Sequence, residues 1–484
     1  MGQTEHNVIM TELFEQNAVE LATRIRTGAL SAEALMRATL ARIEQVNPAV
    51  NAIISLIPAE AALEMARQSD KILAESGPQG PLHGLPMAVK DLEETAGLLS
   101  SYGSPLFKQH VPTTDSLMVA RLRAAGALII GKTNVPEFGF GSQTYNTLFG
   151  TTFNAYDQTR TAGGSSGGAA VALAMRMLPL ADGSDHGGSL RNPAAYNNVY
   201  GFRPSPGRIP DLNGDRFSLG LPVLGPMART IDDLALLFSV QAGPDPRVPA
   251  SACLPGSAFT PLQAADLKGK RIGWLGDLDG HLPMEAGILE LCTAGLEVLQ
   301  RLGAVVEPVR LGISPELIWQ SWRALRSWQT AARLGPVYQD PARRDLLKPE
   351  IQWEIEQGLA LSGLEIAAQI EQRNNWLRHA LELFARYDVL VLPSAQIFPF
   401  AATQTWPREL AGRSMDSYHR WMEVVTPATL GGLPALNVPV GFNPAGLPMG
   451  MQLLGPPGAD LAVLQLGKAY DAATGWPERV KPAL

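Results

Sequence analysis

The chain has 484 residues, 46% of them apolar and 18% charged, a balance ordinary for a soluble enzyme and unlike that of a disordered segment. Its formal net charge of −7, with no block of lysines and arginines, argues against a nucleic-acid scaffold. No apolar run reaches the roughly 18 residues of a membrane span, and two unclustered cysteines, Cys253 and Cys292, cannot make a zinc site alone and are expected as buried free thiols.

The opening MGQTEHNVIM has no basic stretch leading into an apolar run, so no secretory leader is predicted and a cytoplasmic protein is expected. Met1-Gly2 resembles an acylation start, but His6 stands where a hydroxyl residue belongs. Residues 1–76 read as a helical arm. Leu13, Ala18, Leu21 and Ile25 keep helical spacing, Ser31 caps a second helix that Asn47-Pro48 stops, and a third covers about Glu60 to Leu73. A core is expected over 77–245, beginning with the short strand MAVKDL, which carries Lys90 among Ala88, Val89 and Leu92. A helix over Asp115 to Ala125, a buried strand from Ala127 and a glycine-rich loop from Phe138 to Gly150 follow, an alternation that indicates an α/β architecture.

Two polar loops come next, Gly163–Gly168 and Gly183–Ser189, tied by the apolar segment Ala169–Leu180, which suits a buried helix leading into a strand. GFRPSPGRIP at 201–210 reads as a loop, Thr230 as a helix cap, and 244–262 as a connector. A strand reopens at Lys270 and a helix spans Ala286 to Arg301. Residues 312–425 are largely helical and carry Trp319, Trp322, Trp328, Trp353, Trp376, Trp406 and Trp421, a concentration that suits an apolar pocket. A strand from Tyr387 interrupts this lobe, and 426–484 returns to the core as two strands and a closing helix over Asp460 to Ala473.

Glycine beside hydroxyls lets backbone N–H groups approach a ligand, which acyl transfer to a serine requires. That serine also needs a base within hydrogen-bond reach. Gly163-Gly-Ser165-Ser-Gly167 satisfies the loose G-x-S-x-G pattern, with His379 or His419 as the base. Such a scheme leaves Lys90 and the second cluster idle, and it wants a strand where FNAYDQTRTAGG is loop-like.

HGLPMAVKD around Lys90, GKTNVPEFG at 131–139, GGSSGGAA at 163–170, GSDHGGSLRNPA at 183–194, GFRPSPGRIP, GPMART, GLPALNVPVG and GLPMGMQLLG together resemble the amidase signature family over most of the chain. The resemblance implies a large mixed, twisted β-sheet with helices on both faces and a helical substrate lobe. It also implies a Ser-cisSer-Lys triad: Lys90 as base, Ser165 as bridging serine after a cis peptide, and Ser189 as nucleophile. An oxyanion would sit among the backbone N–H groups of His186, Gly187, Gly188 and Ser189. Ser166, Asp185 and Arg191 are expected to brace these loops, and Gly139, Phe140, Gln143 and Thr144 to border the substrate. His186 departs from the small residue usual there, which bears on substrate shape. The scheme needs no metal and no other cofactor.

The resemblance covers hydrolases of aryl, fatty and aliphatic amides, cyclic oligoamides and carbamates, and the glutaminyl-tRNA amidotransferase subunit. The acidic balance and tryptophan-rich lobe favour a stand-alone hydrolase of apolar or aryl amides, with esters and carbamates as further substrates. The expected partner is that small molecule, with no nucleic acid and no membrane, bound by a monomer or homodimer. An inactive binding protein on the same scaffold is the remaining alternative.

Overall fold

The computed structural model describes residues 13–213, 216–218 and 220–483. The reading of the first ten residues, and whatever precedes Leu13 in the helical arm, lie outside them. From Ala18 on, the arm forms the helices Ala18–Arg26, Ala32–Val50 and Ala59–Ser76, with the two-residue strand Ile53–Ile54 between the last two. Ser31 caps the second as its spacing predicts, accepting the Ala34 N–H at 3.0 Å. Pro48 does not stop that helix. It sits in the last turn, where only one N–H is lost, and the Asn47 side chain accepts the Ala52 and Ile53 N–H groups at 2.9 and 2.8 Å.

A three-stranded sheet has the order β1 (Ile53–Ile54), β3 (Leu128–Thr133), β2 (Pro86–Lys90), with β2 and β3 parallel. Two short hairpins, β4 (Tyr145–Asn146) with β5 (Gly150–Thr151) and β12 (Glu409–Leu410) with β13 (Arg413–Ser414), stand apart. The other strands are β6 (Ala181–Asp185), β7 (Tyr200–Arg203), β8 (Val223–Ala228), β9 (Arg271–Trp274), β10 (Val305–Pro308), β11 (Val389–Pro393), β14 (Ala435–Phe442) and β15 (Pro448–Leu454). They make one mixed sheet of order β10-β9-β11-β15-β14-β7-β8-β6. Its β10-β9-β11 edge is parallel and the rest antiparallel.

Both faces of the large sheet are covered, and β11 shows how. Val389 and Val391 pack with the residues of Ile288–Arg301 and Asp460–Thr474, while Leu390 and Leu392 pack with Trp319, Trp322, Trp376 and Trp421 of the helical lobe. Alternate residues of a strand point to opposite faces, so an unbroken apolar run marks a strand buried on both sides. The lobe itself is built from Pro315–Tyr338, Pro349–Leu359 and Gly363–Phe384.

Three expectations shift. The first half of the second glycine–serine cluster, Gly183-Ser184-Asp185, is the end of β6, paired with Val223–Gly225. GFR at 201–203 is strand, not loop, because β14 offers a pairing edge that draws Arg203 fully into the core. Of the two free thiols, Cys292 is buried, whereas Cys253 is exposed. No helix among the described residues is long and apolar enough to cross a membrane.

Candidate active site

Lys90 is the last residue of β2 and only 1% exposed. Its backbone N–H is received by Asp182 Oδ1 at 3.0 Å, which ties β2 to β6 of the large sheet. Its Nζ lies 2.9 Å from Ser165 Oγ, 2.8 Å from Ser166 Oγ and 2.9 Å from Ser184 Oγ. Burial pulls the ammonium down to about 7, against the opposing carboxylates of Asp182, Asp185 and Glu93. An ammonium gives three protons, whereas a neutral amine gives two and offers a lone pair. The ring of three hydroxyls serves either state, because each hydroxyl both donates and accepts.

The Ser165 loop is held from outside. Thr144 Oγ1 donates to the Gly163 carbonyl at 2.9 Å and accepts the Gly167 N–H at 3.2 Å. Asn192 Oδ1 accepts the Gly164 N–H at 3.3 Å, and the Gly164–Ser165 peptide bond between these clamps is cis. The helix Gly167–Ala174 starts directly after, entirely buried.

Ser189 follows β6 in a turn organised by Asp185. That carboxylate accepts the N–H groups of Gly188 (3.0 Å) and Leu190 (3.2 Å) and a two-pronged contact from Arg191 at 3.0 Å. Arg203 adds a contact at 3.3 Å to Oδ1 and one at 2.7 Å to the Asp185 carbonyl. Burial alone would raise the Asp185 carboxyl, but Arg191 and Arg203 outweigh it and hold it below the usual carboxylate range. The Ser189 carbonyl accepts the Ser166 N–H at 3.3 Å, so the two clusters are stitched together. Ser189 Oγ makes no hydrogen bond to any described residue, and the Ser189 residue is 7% exposed. A catalytic hydroxyl can be free in this way before substrate arrives.

The model of the amidase family matches residues 34–464. The chain belongs to the amidase signature family. It is 35% identical to a glutamyl-tRNA(Gln) amidotransferase subunit of Thermus thermophilus, over 94% of this chain and 97% of that one. The corresponding Chloroflexus aurantiacus protein is 32% identical over 96% and 98%. Among solved structures, a bacterial aryl acylamidase of the amidase signature family superposes with a TM-score of 0.90 at 29% identity, covering 97% of this chain and 99% of that one. The peptide amidase of Stenotrophomonas maltophilia gives 0.79 at 28%, covering 97% and 98%. This amidase is therefore an enzyme of carbon–nitrogen bond hydrolysis.

The structure separates the residues expected to border substrate. Gly139 lies against the hydroxyls: its φ is +78°, and a Cβ there would stand 2.9 Å from Leu92 Cδ1 and 3.5 Å from Ser165 Oγ. Phe140 is buried beneath the Arg326 guanidinium, 4.9 Å from its ring centre. Gln143 is buried with its amide donating to the Ala402 carbonyl at 2.8 Å, and Thr144 is the fully buried clamp already described. All three side chains are buried. Of the expected oxyanion donors, Gly188 spends its N–H on Asp185, while no described acceptor faces those of His186, Gly187 and Ser189. The His186 ring is half-buried and held neutral, first by burial and then by the Arg326 charge, and its Nε2 has no partner.

Neither candidate histidine approaches Ser165. His379 Nδ1 contacts the Asn375 carbonyl within its own helix, and His419 is buried 3.2 Å from Glu354 among Trp319, Trp322 and Trp353. Sequence reasoning did not single out Ser184, Asp182, Arg203 or Asn192, and it placed Trp322 only among the tryptophans of the apolar lobe. Ser184 was findable, being a hydroxyl two residues after an acid in the second cluster; the others become neighbours of the site only through the fold.

Proposed function

We propose that this amidase hydrolyses apolar or aryl carboxamides through an acyl-enzyme on Ser189. Ser189 Oγ adds to the acyl carbon while its proton passes through the Ser165 hydroxyl to the neutral Lys90 amine. The oxyanion is received by backbone N–H groups of the His186–Ser189 turn. Collapse breaks the C–N bond, and Lys90 returns the proton through Ser165 to the leaving nitrogen. Water then enters by the same relay and releases the carboxylic acid. The observation that carries this reading is the 2.9 Å contact between a buried Lys90 amine, lowered to about 7, and Ser165 Oγ. Esters and carbamates (urethanes) present the same acyl carbon and are further substrates.

The 32–35% identity to glutamyl-tRNA(Gln) amidotransferase subunits favours a second reading, in which forming the same acyl-enzyme from glutamine expels ammonia to partner proteins that act on glutamyl-tRNA(Gln). A panel of anilides, aliphatic amides and carbamates, read by released amine, separates the two. Anilide turnover that disappears in Ser189→Ala supports the hydrolase. Silence on the whole panel, with glutamine-dependent ammonia transfer once those partners are added, supports the second.

A further inference from the structure

A hydrogen bond joins the lobe to the nucleophile turn. Trp322, on the helix Pro315–Tyr338 and fully buried, donates its indole N–H to the His186 carbonyl at 3.2 Å. The same ring lies flush on the next residue: a Cβ on Gly187 would stand 3.0 Å from Trp322 Cζ2 and 3.1 Å from Met422 Cε. A larger residue there would have to push the indole or the Met422 methyl aside by a few tenths of an ångström.

Carbonyl and N–H of one trans peptide are coplanar and antiparallel. Fixing the His186 carbonyl toward the lobe therefore fixes the Gly187 N–H away from it. The following peptide is fixed separately, because the Gly188 N–H is committed to Asp185 Oδ1 at 3.0 Å. Gly187 is thus a free donor in this turn whose direction is set from outside the turn.

The indole is itself immobilised. It stacks on Trp319 with centroids 5.3 Å apart, meets His419 edge-on at 5.1 Å, and lies 5.6 Å from the Arg326 guanidinium. Arg326 is locked in turn to Glu354 at 2.7 Å, a pair buried with Tyr418 and His419.

We propose that Trp322 is a positioning residue for acyl transfer: its indole N–H, by holding the His186 carbonyl, aims the Gly187 N–H at the oxyanion formed on Ser189. The inference rests on the Ser189 acyl-enzyme reading. It deepens that reading by making the tryptophan lobe act on the transition state as well as on substrate binding.

The test is Trp322→Phe, which keeps an aromatic ring and removes the donor. With the best anilide of the panel, kcat falls about tenfold, a fraction of what a direct oxyanion donor supplies, while KM stays within about twofold. Inhibition by a phenyl trifluoromethyl ketone, which adds to a serine and places an oxyanion in the same position, weakens by the same factor. Trp322→His, which restores a ring N–H but fills less space, recovers part of kcat; a purely space-filling role would make it worse than phenylalanine. Full kcat and unchanged ketone inhibition in Trp322→Phe, or histidine falling below phenylalanine, overturns the proposal. Ser189→Ala distinguishes the two levels. If it still hydrolyses anilides, the acyl-enzyme reading itself has failed; if it is inert while Trp322→Phe is fully active, only the role of Trp322 has.

Discussion

Asp182, on the eight-stranded sheet, receives the backbone N–H of Lys90, on the three-stranded sheet, at 3.0 Å. The acid thus holds the base by its main chain and leaves the amine free for the three hydroxyls. Burial pushes the Asp182 carboxyl up to about 6, so it is ionised at neutral pH and favours the charged form of Lys90. Asp182→Asn keeps an acceptor and removes the charge. The pH at which kcat/KM reaches half its plateau then moves downward, by up to about one unit, because the amine loses a stabilising anion. An unchanged or upward-moving midpoint contradicts this coupling.

On the proposed mechanism the base, Lys90, must be uncharged to act. With Lys90 near 7, kcat/KM rises about tenfold per pH unit below that value and levels off above it. Initial rates of anilide cleavage from pH 5 to 9 check the profile. A rate that falls as pH rises through 7 would assign the limb to a general acid instead.

The same shift has a stability signature. Folded Lys90 titrates near 7 and an ordinary lysine near 10.5, so between these values the unfolded chain holds a proton that the folded chain lacks. Stability therefore rises with pH across that window, by about 1.4 kcal/mol per unit from this group. Lys90→Met removes the slope along with activity. Urea unfolding at pH 7 and pH 10 should show the parent gaining on the variant; equal gains would mean that the amine is charged when folded.

Asp185 and its two arginines are wholly buried. Asp185→Asn leaves Arg191 and Arg203 uncompensated and costs about 3–5 kcal/mol in denaturant unfolding. By contrast, the Arg301–Glu297 pair, 4.0 Å apart with side chains 67% and 59% exposed, is worth little, and Glu297→Ala changes stability by less than about 1 kcal/mol. Comparable losses in the two variants would show that burial does not set the scale here.

Thr144→Val deletes the hydroxyl that grips Gly163 and Gly167: the Gly167 N–H loses this acceptor, while the Gly163 carbonyl keeps the residue-144 backbone N–H at 3.1 Å. It lowers kcat with a destabilisation of about 1–3 kcal/mol, while Thr144→Ser retains most activity. Valine behaving like the parent would remove the clamp from the account.

Much of this is legible in the primary structure because the chemistry is local. Ser165 and Ser189 sit in short glycine-flanked clusters, Lys90 stands in an apolar strand and joins them only through the family resemblance, and the double-faced strand Val389–Pro393 announces itself as an unbroken apolar run. What escapes depends on distant pairing. Arg203 lies in a proline-bearing segment that reads as loop until β14 captures it, and Gly183–Asp185 reads as loop because its glycines hide a strand edge. Thr144 reads as a border of the substrate, and only the fold shows its hydroxyl turned onto Gly163 and Gly167. Trp322 is one tryptophan among seven in the lobe, and nothing in its neighbours distinguishes it; only the fold brings its indole to His186, 136 residues away.

The proposed proton acceptor, Lys90, ends a strand of the three-stranded sheet, and the proposed attacking hydroxyl, Ser189, sits in the turn after β6 of the eight-stranded sheet; Asp182 joins the two at Lys90. The reaction centre is therefore a seam, and its integrity is a property of docking, not of either sheet. Opening that seam by about an ångström would silence the enzyme while every strand stayed paired, so on gentle warming or in dilute denaturant inactivation should run ahead of any loss of circular dichroism.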